Sequence, residues 1–296
     1  MLARQQQVWA SQQHIWASAS AELLKLRKRP AIWVLAGVWL ALLTFFGYLL
    51  PYLGYLTGGS SAPRSDPMGS GALADTLPAN LVGNAVAGYA LFGGAIVMIL
   101  GALVAGSEYG WGTIKTVLTQ RPGRVSVYAG SLVALAAVLL ALVLVSFGLS
   151  AAASAAIATT ESLPLAWPAV TEVLTGIAAG WLVLGMWCLF GVLLGTLTRG
   201  TAMAVGLGLV WALVVENLVR ASSAVLDVLV TVQQGLPGVN AGSLVASLGA
   251  RGEGPGDGTP GVAPVVDGTQ ATVVLVGFVV AFAVIAGLLQ ARRDVV

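Results

Sequence analysis

Charge is what this chain has least of. Its 296 residues include 14 Lys and Arg and 12 Asp and Glu, only 9% of the total, where soluble domains carry about 25%. Burial does not account for the deficit, because a chain of this size still exposes much of its surface. An ordinary water-soluble domain is therefore excluded. The mean hydropathy of +0.90 makes lipid the main solvent.

Other absences exclude chemistry. Cys188 is the single cysteine, so neither an intrachain disulfide nor a cysteine metal cluster can form. His14 is the single histidine. That rules out an H-E-x-x-H zinc site and a Ser-His-Asp triad within the membrane. Lysine occurs only at positions 25, 28 and 115. None lies in a G-x-x-x-x-G-K-[ST] loop, so the chain has no Walker A site. No catalytic residue, no metal site and no cofactor are expected in this chain, and nothing marks it as an enzyme.

What the chain has in abundance is long apolar runs. A helix needs roughly 20 apolar residues to cross a bilayer core. Six stretches qualify: Ala31 to Leu56, Leu81 to Ala105, Val125 to Ala153, Val173 to Thr198, Thr201 to Val219 and Ala271 to Gln290. Runs such as "LVALAAVLLALVLVSFGLS" do not alternate, which argues against a β-barrel. Helices satisfy their own backbone groups in lipid. The first run is too long for the h-region of a cleavable signal, so a retained helix is expected.

Six spans place both termini on one side. If that side is inside, the cytoplasmic segments hold Arg4, Lys25, Arg27, Lys28, Arg29, Lys115, Arg121, Arg124, Arg199, Arg292 and Arg293. Lys and Arg favour the cytoplasmic side, so the expected location is the cell (inner) membrane, multi-pass, with both termini cytoplasmic.

Before the first span, "HIWASASAELLKLRKRP" places His14, Ser18, Glu22, Lys25 and Arg29 at helical spacing, with Ile15, Ala19, Leu23 and Leu26 on a neighbouring face. The pattern predicts an amphipathic helix lying at the membrane interface. The fourth span has small-xxx-small spacings at Gly176/Gly180 and Gly191/Gly195, which let helices approach closely. The largest external loop covers 220–270. Within it, "SSAVLDVLVTVQQ" is too short to cross, and a Gly/Pro-rich stretch follows "GLPGVNAGSLVASLG".

Charge inside the spans is sparse. Glu216 is the serious candidate, at the outer end of the fifth span, with Asn217 beside it and Arg220 four residues on. Glu216 and Arg220 can meet on one helical face. They form either a snorkelling interfacial pair or an outer gate contacting substrate.

The segment "GSEYGWGTIKTVLTQRPGR" lies between the second and third spans. Read as a short helix from Glu108 to Thr119, it gathers Trp111, Ile114, Val117 and Leu118 on one side, with Lys115 near another. Glu108 then sits at the helix start, where a carboxylate is favoured. Pro122 and Gly123 end it. An apolar knob beside a charge is a surface a docking partner can grip; the plain alternative is a basic loop that only fixes topology.

This segment resembles the glutamate, glycine-threonine and downstream arginine pattern that follows the second span of ABC-2 type permeases, the membrane subunits of one class of ATP-binding-cassette exporters. "AELLKLRKRPAIW" resembles that family's N-terminal connecting helix. "GLPGVNAGSLVAS" is similar to its proline-containing segment before the last span, and "LLQARRDVV" to its basic C-terminal ending. The resemblance implies an all-α membrane protein of six transmembrane helices, with an N-terminal amphipathic interfacial helix and a short cytoplasmic coupling helix between helices 2 and 3. In these terms 1–30 is the cytoplasmic leader, 31–291 the transmembrane domain with its coupling element at 107–121, and 292–296 the tail.

The resemblance further implies a dimer with a second permease copy, driven by two cytoplasmic ATPase subunits that hold ATP and Mg²⁺. Membrane lipid is a further partner and nucleic acid is not. Glu108, Gly112 and Thr113 match the coupling helix, and Arg121 and Arg124 the basic residues behind it. Lys115 departs from the family's frequent arginine, and lysine lacks the planar fork for a bidentate contact. The function implied is that of an export permease, and the apolar spans that would line its pathway suggest a hydrophobic or amphipathic compound as substrate. The alternative is an ion-coupled secondary carrier acting without an ATPase.

Overall fold

The computed structural model describes residues 16–57, 73–110, 124–223, 226–252 and 258–292, with the backbone alone at 108–110 and Arg124. Among these residues all regular structure is helical. Six helices are long and apolar enough to cross a membrane.

Helix α1 covers 16–28. Arg29 is extended, and α2 (Pro30–Leu56) starts on a proline. At the first helical position proline's missing N–H costs no hydrogen bond. Helix α3 (Pro78–Ser107) opens on Pro78 in a 3-10 turn, and its helical backbone continues to Gly110. Helix α4 (Arg124–Thr160) is the longest, at 37 residues. It is roughly 55 Å long and outreaches the bilayer core of about 30 Å. Helix α5 (Val170–Thr198) ends at Arg199, whose φ of 54° is left-handed. After extended Gly200, α6 (Thr201–Ser223) turns back. Two short helices follow, α7 (Asp227–Gln234) and α8 (Pro237–Ser247), and α9 (Gly268–Arg292) is the last.

The six expected spans all occur. The structure lengthens several at their ends, most clearly α4, which runs seven residues past Ala153 because "AIATT" continues the helix without a breaker.

Helices α3 and α5 form the centre. Their most apolar windows are 67% and 56% buried, against 17% for α2, 22% for α6 and 11% for α9, so those three turn most of their surface outward. Glycine permits the central contact. A Cβ on Gly191 would strike the Met98 carbonyl, and one on Gly101 the Cys188 carbonyl. Backbones this close gain packing that lipid cannot offer.

Three of the long helices carry a π-helical turn: Phe45–Leu49 in α2, Tyr89–Gly93 in α3 and Val210–Val215 in α6. The first has a cause in the sequence. Pro51 has no N–H to give the carbonyl four residues earlier, and its ring crowds that group. The carbonyl belongs to Gly47, inside the π turn, and Asn84 of α3 points its Nδ2 at it from 3.5 Å.

The ends of the bundle differ. At the proximal end, Ser18 and Ala19 of α1 pack on Gly130 of α4, and Arg29 Nη1 donates to Ser107 Oγ at 3.0 Å. The face of α1 turned to the bundle carries Ala19, Glu22 and Leu26, while Trp16, Leu23 and Leu24 are exposed. Glu22 thus leaves the polar face on which the pattern put it and pairs with Lys25 at 2.7 Å. At the distal end, Tyr52 and Tyr55 of α2 donate their hydroxyls to Glu161, at 2.7 and 3.2 Å, just past the end of α4.

Candidate functional site at the distal end

Helix α8 is 11 residues long, about 16 Å, too short to cross a bilayer. Yet Pro237 and every residue from Val239 to Val245 are buried, because it inserts among α3, α5 and α9. Two of its polar side chains help hold it there. Ser243 Oγ donates to the Ala263 carbonyl and accepts the N–H groups of Val265 and Val266. Asn240 Nδ2 donates to the carbonyls of Gln234 and Leu236. Outside, Arg251 pairs with Asp75 at 2.6 Å, joining the loop after α8 to the lead-in of α3.

The N-terminus of α8 meets the expected candidate. Glu216 is 4% exposed, directly after the π turn of α6. Its Oε1 accepts the Gly238 backbone N–H at 3.1 Å and the Trp211 indole N–H at 3.0 Å. First-turn N–H groups have no partner within their own helix, and the helix dipole favours an acid there. Glu216 therefore caps α8 from a different helix. A Cβ at position 238 would collide with Oε2, so a larger residue there would have to push the carboxyl aside.

Of the three residues singled out at this end, the structure brings two together. Arg220 lies within electrostatic reach of Glu216, one turn along. Asn217 turns away, exposed, and donates to the Leu213 carbonyl of its own helix. Trp211 and Gly238 were missed. "LPG" did signal a helix start, since proline favours the first helical position, and a helix start attracts a carboxylate. That Glu216 is the acid that meets this helix start follows only from the fold.

Of the proximal candidates, Gly112, Thr113, Lys115 and Arg121 lie outside the described residues. At Glu108 and Arg124 only the backbone is described. It puts Glu108 in the last turn of the helix that closes α3, ending at Gly110, and Arg124 at the first residue of α4. Glu108 thus continues α3 instead of opening a new helix. Among the described residues no group of three or more His, Cys, Asp or Glu is placed to hold a metal.

These features define an all-helical chain of six membrane-length helices with a short helix inserted at the distal end. The chain belongs to the family described as "Protein of unknown function (DUF2705)", whose model matches residues 70–248, from the lead-in of α3 through α8. No curated protein matches it.

Proposed function

We propose that this chain is the permease subunit of an ABC-type transporter. Two copies form the substrate pathway, two separate ATPase subunits drive it, and a hydrophobic or amphipathic compound is exported. The proximal end is cytoplasmic in this reading, consistent with its Lys and Arg. The observation that carries the proposal is the Arg29–Ser107 hydrogen bond. It ties the leader helix to the end of α3, one residue before Glu108. Force applied to 107–121 by a nucleotide-driven partner would reach α1 and α3 together. Glu108, Gly112, Thr113, Lys115, Arg121 and Arg124 form the partner-facing element. At the other end Glu216 holds α8 in place, an arrangement suited to an outer gate whose release opens the pathway.

In this reading the energy comes from the ATPase partner, so the test is direct. Expressed with its genomic neighbours and solubilised, it should co-purify with an ATPase bearing a Walker A loop. The reconstituted complex should move substrate only with hydrolysable ATP. Transport by the purified lone chain, driven by an ion gradient, would establish the secondary-carrier alternative instead.

A further inference from the structure

A groove of about 300 Å³ lies between the start of α4 and the end of α9. Ala283, Gly287 and Ala291 form its floor. They recur every four residues along α9, so they share one side of that helix. Val284 and Leu288 stand beside them as one rim and Val125 of α4 as the other, and all three rim residues are exposed. A row of small residues usually lets a second helix come close. Here Tyr128 of α4 stands in the way. Its hydroxyl donates to the Ala283 carbonyl at 2.8 Å, and a Cβ on Gly287 would meet its ring at 3.0 Å. With that ring between the two helices, the rest of the row stays uncovered. From Ala283 to Ala291 the groove runs about 12 Å along the helix, less than half of a bilayer core of about 30 Å. It therefore lies within one leaflet, at the proximal end.

The proximal mouth of this groove is cationic. Arg124 directly precedes Val125, and exposed Arg292 directly follows Ala291; Val125 and Ala291 both line the groove. In the sequence Arg293 and Asp294 come next and offset each other. Helix α4 also begins here, so the N–H groups of its first turn face the same end, where they favour an anion. An apolar slot one leaflet deep under a cationic mouth matches a molecule with an apolar chain and an anionic head. A second copy of this chain fits less well. A two-fold axis along the membrane normal would bring the same arginines of both copies to one interface at one depth.

We propose that the groove binds one acidic phospholipid, with an acyl chain laid along Ala283, Gly287 and Ala291 and its phosphate at Arg124 and Arg292. Basic pockets between membrane helices recognise acidic headgroups in this way. The site does not depend on what the chain transports or on what drives it.

The full chain, purified in detergent, is titrated with dioleoyl-phosphatidylglycerol and separately with dioleoyl-phosphatidylcholine, and followed by native mass spectrometry and thermal unfolding. Phosphatidylglycerol should saturate at one tightly held lipid per chain and raise the melting temperature by several degrees. Phosphatidylcholine at the same concentration should do neither. Arg292→Gln should weaken phosphatidylglycerol binding about five-fold, as expected for one arginine near a headgroup, and Arg124→Gln should do the same. Ala291→Phe puts a ring in the groove and should displace the lipid, while the lipid-free chain melts near wild type. Should the ring prevent folding, the arginine variants decide alone. Equal retention of the two lipids would mark ordinary boundary lipid and overturn the proposal. So would phosphatidylglycerol binding that survives both arginine substitutions. A dimer that dissociates in Ala291→Phe while lipid binding is unchanged would assign the groove to a second copy and also overturn it.

Discussion

Glu216 and Gly238 are 22 residues apart in the chain, yet one carboxyl oxygen of the first accepts the backbone N–H of the second at 3.1 Å. This bond fixes the start of α8 to α6. Truncating it by Glu216→Ala strands two half-buried donors, Gly238 N–H and Trp211 Nε1, at a cost of at most about 1–3 kcal/mol for each. Glu216→Gln keeps an oxygen acceptor and should lose less. Thermal unfolding in detergent should rank wild type above Glu216→Gln, and that above Glu216→Ala.

The same contact makes Gly238→Ala destabilising on its own, by about 1–3 kcal/mol from overpacking against the carboxyl. Adding Glu216→Ala removes the atoms the new methyl would strike. The two substitutions should therefore cost less together than the sum of each alone. Additive losses in a double-mutant melting cycle would mean that the methyl is accommodated some other way.

At the centre, Gly191→Val should be far more severe, because its side chain would meet the Met98 carbonyl and backbone cannot rotate out of the way. The expected result is a variant that fails to accumulate in the membrane fraction. Gly185→Ala, on the same helix but with open space at its Cβ, should express like wild type.

Cys188 is 1% exposed, so maleimide should label it only after denaturation. That quiet background permits a topology measurement. In a Cys188→Ser chain, Lys115→Cys should react with a membrane-impermeant maleimide only once the inner face is opened to it. Reaction from the outside of intact cells would reverse the proposed orientation.

Glu108→Ala should reduce ATP-driven transport in the reconstituted complex and leave the melting temperature near that of wild type. Unchanged transport would remove Glu108 from the coupling role, whatever the fate of the remaining residues in 107–121.

Much of this architecture is written in local sequence. Apolar length alone marks the six long helices, and Pro30 and Pro78 announce two of their starts. The burial of α8 is not local. "GLPGVNAGSLVAS" is only moderately apolar, and its Asn240 and Ser243 read as loop residues until the structure shows them bonded to the segments on either side. The cap on α8 was half visible. Glu216 stood out because it is an acid in an apolar run, but its partner depends on how a distant turn folds back. The π turns were the least legible, although Pro51 marks one of them. A single proline says that a carbonyl will lose its donor, not that Asn84 on another helix will face it.

The glycine seam between α3 and α5 has a mechanical result. With the Met98 carbonyl lodged against Gly191 and the Cys188 carbonyl against Gly101, neither helix can slide or roll past the other without backbone colliding with backbone. The pair behaves as a keel. Whatever shape change the molecule undergoes is left to its lightly covered flanks, α2 and α6, each of which already carries an underwound joint in its ladder at Phe45–Leu49 and Val210–Val215.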